Sequence, residues 1–161
     1  MSPFDDNLQW PGDGRDLTRN CDVASYAMAK LLPVSLLDEL GIRNVSHPHN
    51  PSRQAIAIPY RNPDGTVHRE RHRTALHKMA DGSDERMRWD GAENGTILYG
   101  LDRLPERGAQ PLLLVEGESD AQTAWHHGYL ALGLPGASNF KPERDDGYLE
   151  NRDIIAIVEQ D

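Results

Sequence analysis

Cysteine is almost missing from this chain of 161 residues, in which Cys21 stands alone. One cysteine cannot form a disulfide within the chain, and it excludes a zinc site built from several cysteines. The longest apolar runs are about five residues, far short of the ~20 that cross a bilayer. Residues 1–6 lack the basic start and apolar stretch of a signal peptide. We therefore expect a cytoplasmic protein in a reducing compartment, with no membrane partner.

The chain also has no excess of positive charge, since its formal net charge is −9 at neutral pH. Such a balance argues against attraction of nucleic acid over the whole surface. The distribution is uneven, however, because residues 68–78 hold four cations and three histidines against a single acid, Glu70. Segments 115–120 and 143–161 are acidic. The pattern indicates that the basic segment suits polyanions and the acidic segments suit a metal ion. For any single basic residue, a position on a solvent-exposed charged face is an equally good interpretation.

Local patterns before residue 110 predict a small α+β unit. Residues 1–21 are rich in Pro, Gly, Asp and Asn, and we expect a flexible lead-in there. Asp22 is placed to cap a helix that continues to Leu31, and Pro33 starts a second helix that stops at Gly41. The remaining predictions are a break at 47–51, a strand over 55–60, a turn over 62–65, a return strand over 67–76, a loop over 80–94 and a short helix ending near Gly108.

After residue 110 the pattern changes to short apolar strands around a helix. This alternation favours a parallel sheet with right-handed crossovers. The last strand is continuously apolar, which predicts burial on both of its faces. The predicted elements are a strand over 111–115, a helix from a Ser119-x-x-Gln122 capping box to Gly128, a strand over 129–134, a polar loop over 138–152 and a strand over 154–158.

Two of these strands end in carboxylates. Glu116 and Asp120 follow the first strand, and Glu159 and Asp161 follow the last. Ligands of parallel α/β sheets bind beyond the carboxyl ends of the strands. Clustered carboxylate oxygens there suit a hard cation such as Mg2+, or Mn2+ in its place. The alternatives are that Asp120 only serves the helix dipole and that Glu159 and Asp161 form an exposed acidic end.

Residues 112–161 resemble the toprim domain, the metal-dependent catalytic module of bacterial-type primases, topoisomerases and some nucleases. The stretch 115–121 resembles its first motif, in which a strand ends in a catalytic glutamate followed by glycine. Residues 132–137 resemble the small-residue turn after its second strand. Glu159-Gln160-Asp161 resembles its Asp-x-Asp metal site, with Glu in the first position. The resemblance implies catalytic roles for Glu116 and Asp120, and metal binding by Glu116, Glu159 and Asp161.

The similarity extends upstream to the core of bacterial primases. Residues 58–67 are similar to the hairpin of that core, and residues 33–41 to its opening helix. Residues 86–89 and 98–101 are similar to the basic-aromatic segment and the Leu-Tyr-Gly-Leu run before the toprim strand. The zinc-binding domain of cellular primases has no counterpart here. The chain also stops where the family continues with a further helix and strand, so we expect a truncated fragment.

The expected organisation is therefore an α/β protein in three parts. The lead-in 1–21 is followed by a primase-core-like α+β subdomain over 22–109. A partial toprim sheet, parallel and Rossmann-like, occupies 110–161.

The implied function is that of a DNA primase, a metal-dependent nucleotidyl transfer that makes RNA primers in phage or plasmid replication. The implied partners are a single-stranded DNA template, nucleoside triphosphates and a replicative helicase. A toprim-type nuclease, or a nonenzymatic truncated toprim protein that binds replication partners, are the alternatives. The candidates for contacting template phosphates or the incoming nucleotide are Arg71, Arg73, Arg86 and Arg88.

Overall fold

The computed structural model describes residues 16–84, 86–91, 95–106 and 110–157, which form two β-sheets with short helices. The helices are α1 (Val23–Lys30), α2 (Val34–Glu39), α3 (Glu118–His126) and α4 (Pro142–Leu149), with 3-10 turns at Leu101–Arg103 and Ala137–Asn139. The strands are β1 (Arg43–His47), β2 (Asn50–Arg61), β3 (Val67–Arg73), β4 (Met87–Trp89), β5 (Leu112–Glu116), β6 (Leu130–Leu134) and β7 (Ile154–Ala156). One sheet is antiparallel in the order β1-β2-β3-β4, and the other is parallel in the order β6-β5-β7. The α/β fold class is thereby confirmed.

The first two helices begin where the sequence predicts. The Asp22 carboxylate accepts hydrogen bonds from the Ser25 backbone N–H at 2.8 Å and from its hydroxyl at 3.1 Å, which caps α1. Pro33 precedes α2, where its fixed φ suits the entry into a helix. Both helices are anchored by fully buried side chains, Tyr26 and Leu37, that belong to the main hydrophobic cluster.

The predicted hairpin is present and is extended into a sheet by two strands that the sequence did not indicate. The turn at 62–65 closes with the Gly65 N–H donating to the Asn62 carbonyl at 2.9 Å. β3 stops at Arg73, three residues before its predicted end. β1 and β4 lie at the two edges. No element was predicted for the stretch of β1 before the break at residue 47, and β4 lies in a region predicted as a loop. β1 is mostly polar and β4 has three residues, so neither carries enough of an alternating pattern to be recognised alone.

Parallel pairing of the later strands is confirmed, with β5 between β6 and β7. The prediction that the last strand is buried on both faces is wrong for the part described, because β7 is an edge strand and Ile155 is 50% exposed. The polar loop predicted over 138–152 contains α4. That helix was missed because few of its residues are apolar, although Pro142 stands at its first position, where proline is favoured.

The predicted capping box at the start of α3 is wrong. The N-cap residue is Gly117, two residues before Ser119, and the helix begins at Glu118. Gln122 is fully buried. It accepts a hydrogen bond from the Tyr26 hydroxyl at 2.7 Å and donates one to the Tyr99 hydroxyl at 3.1 Å. A spacing that normally serves a cap therefore serves the core here.

The two predicted subdomains share one hydrophobic cluster. Its buried members include Ile58 and Tyr60 from the antiparallel sheet and Val115 and Ala121 from the parallel part. The backbone of Tyr99 also exchanges two hydrogen bonds with Gly133 on the free side of β6, at 2.9 and 3.0 Å. None of the described helices is long and apolar enough to cross a membrane.

Candidate active-site cleft

Glu116 and Asp120 lie on either side of the turn from β5 into α3. Glu116 is the last residue of β5 and is exposed. Gly117 follows with φ +88°, a value that residues with a Cβ rarely adopt, so glycine permits the sharp entry into the helix. Asp120 is half-buried in the first turn of α3, where the helix dipole favours negative charge. The turn therefore presents both carboxylates at the end of the sheet at which ligands bind in parallel α/β folds.

Both carboxylates line a cleft of about 440 Å³ between the two sheets. The β5–α3 turn forms its acidic wall, and cationic side chains from other segments form its basic wall. The acidic wall consists of Glu116, Glu118 and Asp120, and the basic wall of Lys30, Arg71, Arg73 and Arg86, with Asp84 beside Arg86. Side chains from α1, β3 and the segment before β4 thus meet the carboxyl end of β5.

Glu118 joins the two walls. Its Oε1 accepts a hydrogen bond from the Tyr60 hydroxyl at 2.5 Å and one from the Arg71 guanidinium at 2.8 Å. Glu118 is only 5% exposed, and a buried carboxylate is stable when it is paired and hydrogen-bonded in this way. Burial, followed by the nearby negative charge of Glu118, raises the pKa of Tyr60 well above its usual value. Burial opposes the charge on Arg71, but the attraction of Glu118 outweighs it and raises the pKa of that guanidinium.

An aromatic row supports the network from within. The rings of Trp89, Tyr60, Tyr99 and Trp125 follow one another with centroid separations of 4.9, 5.0 and 5.2 Å. The Arg71 guanidinium lies 5.2 Å from the Trp89 ring centroid, within the range of a cation–π contact. Arg71 is therefore fixed by an ion pair and by an aromatic face, and its orientation in the cleft is set before any ligand arrives.

The other two arginines of the basic wall are also anchored. Arg73 is 8% exposed, lies 5.4 Å from the Tyr26 ring centroid and donates to the Leu76 carbonyl at 3.4 Å. Arg86 donates to both oxygens of Asp84, at 2.7 and 2.6 Å. These hydrogen bonds lower the pKa of Asp84 to about 2.

Arg88 is not brought together with the other three candidate arginines. The register of β3 and β4 pairs it with His72, whereas Trp89 pairs with Arg71. Residues paired across two antiparallel strands lie on the same face of the sheet, whereas successive residues of one strand point to opposite faces. Arg88 and His72 therefore lie on the face away from Arg71 and Arg73. Arg88 does not line the described part of the cleft.

The donor set fits a hard cation only in part within the described residues. Glu116 and Asp120 supply two carboxylates, and Mg2+ is commonly held by one or two carboxylates together with waters and substrate phosphates. No group of three His, Cys, Asp or Glu side chains converges among the residues that the structure describes. Glu159 and Asp161, the other predicted ligands, lie outside the described residues. Their metal binding stays a prediction.

Sequence analysis gave no role to three charged residues of the cleft, Lys30, Asp84 and Glu118. Lys30 reaches it from the last turn of α1. No local pattern marks a lysine there, because a basic residue at a helix end already suits the dipole. Glu118 was part of the motif but received no role. The sequence did contain an indication of its role, because Glu118 is a third acid beside Glu116 and Asp120. Three carboxylates in one turn repel each other unless a cation is near.

Comparison with solved structures identifies the architecture. The primase fragment of the bacteriophage T7 primase-helicase protein matches with a TM-score of 0.61 and 18% identity, over 83% of this chain and 54% of that chain. The RNA polymerase domain of the Mycobacterium tuberculosis primase DnaG matches with a TM-score of 0.60 and 14% identity, over 84% and 59% of the two chains. The chain has the fold of a primase catalytic core.

A DnaG primase catalytic domain bound to single-stranded DNA also matches, with a TM-score of 0.57 and 15% identity, over 83% of this chain and 54% of that one. The chain thus spans little more than half the length of these solved chains. No protein-family model matches the chain, and no curated protein matches it significantly.

Proposed function

We propose that the protein to which this chain belongs is a DNA primase, which joins ribonucleotides on a single-stranded DNA template during phage or plasmid replication. One observation carries the proposal: in a primase-core fold, the two carboxylates of the β5–α3 turn line a single cleft together with four cationic side chains. Nucleotidyl transfer needs both, because the reacting triphosphate is anionic and the metal that it uses needs oxygen ligands.

Glu116 and Asp120 are the described residues that would hold Mg2+ or Mn2+, with Glu159 and Asp161 proposed to complete the set. When bound, such ions activate the attacking hydroxyl and neutralise charge on the triphosphate and its leaving group. Glu116 is exposed at the strand end, so its carboxylate is accessible to a hydrated ion. The toprim identity of this part of the chain belongs to the same proposal.

The basic wall would orient phosphates. Arg71 is held by Glu118 and Trp89, and Lys30 reaches the same cleft from α1. A guanidinium that is already fixed loses little conformational entropy when it binds a phosphate oxygen. Arg73 and Arg86 extend the wall, so the incoming nucleotide and the template both have cations within the cleft. A replicative helicase is the proposed protein partner.

The test is Glu116→Gln, which keeps the size of the side chain and removes its charge. We expect primer synthesis on a single-stranded template to fall at least ~100-fold, the usual scale for loss of a charge-stabilising group. Mg2+ binding, measured by calorimetry, should weaken in the same variant while the melting temperature is preserved. Glu143→Gln, at an exposed position of α4, is the matched control and should behave as wild type.

Two results would contradict the proposal. Near-normal primer synthesis by Glu116→Gln would remove the carboxylate from the reaction. Metal-dependent cleavage of the template without primer synthesis would indicate a nuclease, since a metal-activated water could use the same carboxylates.

A further inference from the structure

A second cavity, of about 210 Å³, adjoins the cleft. We call it the arginine pocket, after Arg19, Arg53 and Arg86, which line it together with His47, His77 and Thr74. Its volume is many times what one water molecule needs. Among the described residues no carboxylate lines it, and nearly every polar side chain in its wall can donate a hydrogen bond. This composition favours an anion.

Arg53 is positioned in advance for such a ligand. Its Nε donates to the Arg19 carbonyl at 2.8 Å, which fixes the plane of the guanidinium. Its two terminal nitrogens make no hydrogen bond within the part of the chain that the structure describes. Arg19 has an ionic contact with Asp16 at 3.8 Å, and its side chain is 58% exposed. An exposed pair of that length contributes little, so a phosphate can compete for Arg19.

A histidine adds a donor with a defined tautomer. The His47 Nδ1 lies 3.1 Å from the backbone nitrogen of His49 and accepts a hydrogen bond from its N–H. In the neutral ring the proton is therefore on Nε2, which makes that atom a donor. The pocket thus combines arginines with hydroxyl and imidazole groups, and arginine and threonine side chains commonly contact phosphates in nucleic-acid-binding proteins.

Arg86 connects the arginine pocket with the cleft, because its side chain lines both. The carboxylates Glu116 and Asp120 line only the cleft. A ligand held in both cavities carries phosphate groups beyond the one that reacts at the carboxylates, as a nucleic-acid strand does. We infer that the arginine pocket binds a phosphodiester of single-stranded nucleic acid whose neighbouring nucleotides lie in the cleft. That the ligand is a single-stranded template rests on the proposed function, whereas the assignment of an anion site rests on the residues of the arginine pocket alone.

The experiment measures binding of a single-stranded DNA oligonucleotide and, separately, of ATP to the full chain over a range of salt concentrations, in EDTA. Arg53→Gln and Arg19→Gln should each weaken DNA binding about tenfold, the scale of one missing charge-assisted hydrogen bond. Each should also flatten the log–log salt dependence by about 0.7 for every phosphate that the variant no longer neutralises. ATP affinity should not change. Arg53→Lys, which keeps the charge, should recover much of the salt slope.

Arg43→Gln is the matched control, because it removes the same charge from the same subdomain but outside the pocket. Equal losses of DNA affinity in the control and in the pocket variants would reduce the effect to net charge and overturn the inference. Lower ATP affinity with unchanged DNA binding would assign the pocket to a free triphosphate, which also overturns it. Arg19 is exposed, so Arg19→Gln is expected to fold and decides the matter even if Arg53→Gln does not.

Failure of this inference can be distinguished from failure of the proposed function. If Glu116→Gln retains synthesis while Arg53→Gln loses DNA affinity, the strand site stands and the catalytic assignment fails. If Glu116→Gln abolishes synthesis while both pocket variants bind DNA as wild type, the catalytic assignment stands and the strand site fails.

Discussion

At the scale of single residues, Glu118 ties the cleft to the hairpin. It is close in sequence to Glu116, the carboxylate that we propose as catalytic, yet its partners come from the hairpin. The ion pair with Arg71 is shielded from solvent on both sides. Removing one member of such a pair leaves a buried charge without compensation, which costs more than the pair itself contributes.

Glu118→Gln should therefore lower the free energy of unfolding by about 2–4 kcal/mol. The amide can still accept a hydrogen bond from Tyr60, but it cannot balance the charge of Arg71. Chemical denaturation measures the difference. The control is Glu39→Gln, which removes an exposed partner of Arg103 (N–O distance 3.4 Å, Glu39 side chain 65% exposed) and should cost less than about 1 kcal/mol. Equal costs for the two variants would show that the buried pair has no special weight.

At the scale of elements, the β5–α3 turn depends on β6 as well as on its own glycine. The Gly117 N–H donates to the Leu134 carbonyl at 2.9 Å, so the turn is tied to the end of β6. A Cβ on Gly133 would lie 2.7 Å from the Gly117 carbonyl oxygen, a backbone atom that cannot swing away. The absence of a side chain at Gly133 is thus a condition for placing Glu116 in the cleft.

Gly133→Ala should destabilise the fold by about 1–3 kcal/mol through overpacking and should shift the turn that bears Glu116. Thermal unfolding measures the first effect, and Mg2+ titration the second. Gly147→Ala in α4 is the counterpart, because nothing lies within 4 Å of its added Cβ, and it should stabilise by about 0.4–1 kcal/mol. Unchanged stability and metal affinity in Gly133→Ala would mean that the turn adjusts freely.

At the scale of the whole molecule, three tyrosines from different segments form hydrogen bonds with side chains of α3. Tyr26 and Tyr99 both bond Gln122 on α3, and Tyr60 bonds Glu118. Burial is the main cause that raises the pKa of each of these three hydroxyls. When the pKa of a group is higher in the folded than in the unfolded protein, its contribution to stability is fully present below the pKa of the unfolded state, which is near 10 for tyrosine. That contribution is lost as the pH rises further.

We therefore expect the protein to lose stability above about pH 10, with these three tyrosines ionising together as the core opens. Tyrosinate absorbance followed alongside tryptophan fluorescence would show one cooperative step. Tyr60→Phe should reduce the amplitude of that step by about a third, since it removes one of three phenols. Gradual ionisation of all five tyrosines with the fluorescence unchanged would contradict a shared core.

Features set by near neighbours were predictable from the sequence. The Asp22 cap, the turn at 62–65 and the strand that delivers Glu116 each depend on a few adjacent residues. Parallel pairing followed from the alternation of apolar strands with a helix. The positions of Glu116 and Asp120 beyond a strand end were predictable for the same reason.

Other features were decided only by contacts between distant segments. The bonds of Glu118 join residues 47 and 58 positions apart, and the bond of Gln122 to Tyr26 spans 96 positions. Strand register placed Arg88 on the far face, and sheet order left β7 at an exposed edge. Sequence periodicity specifies which residues of an element share a face, but not which other element that face meets. The basic wall and the ion pair at Glu118 exist because folding brings α1, the hairpin and the β5–α3 turn to one place. The arginine pocket exists because the segment before α1, the strands β1 and β2 and the segment after β3 meet.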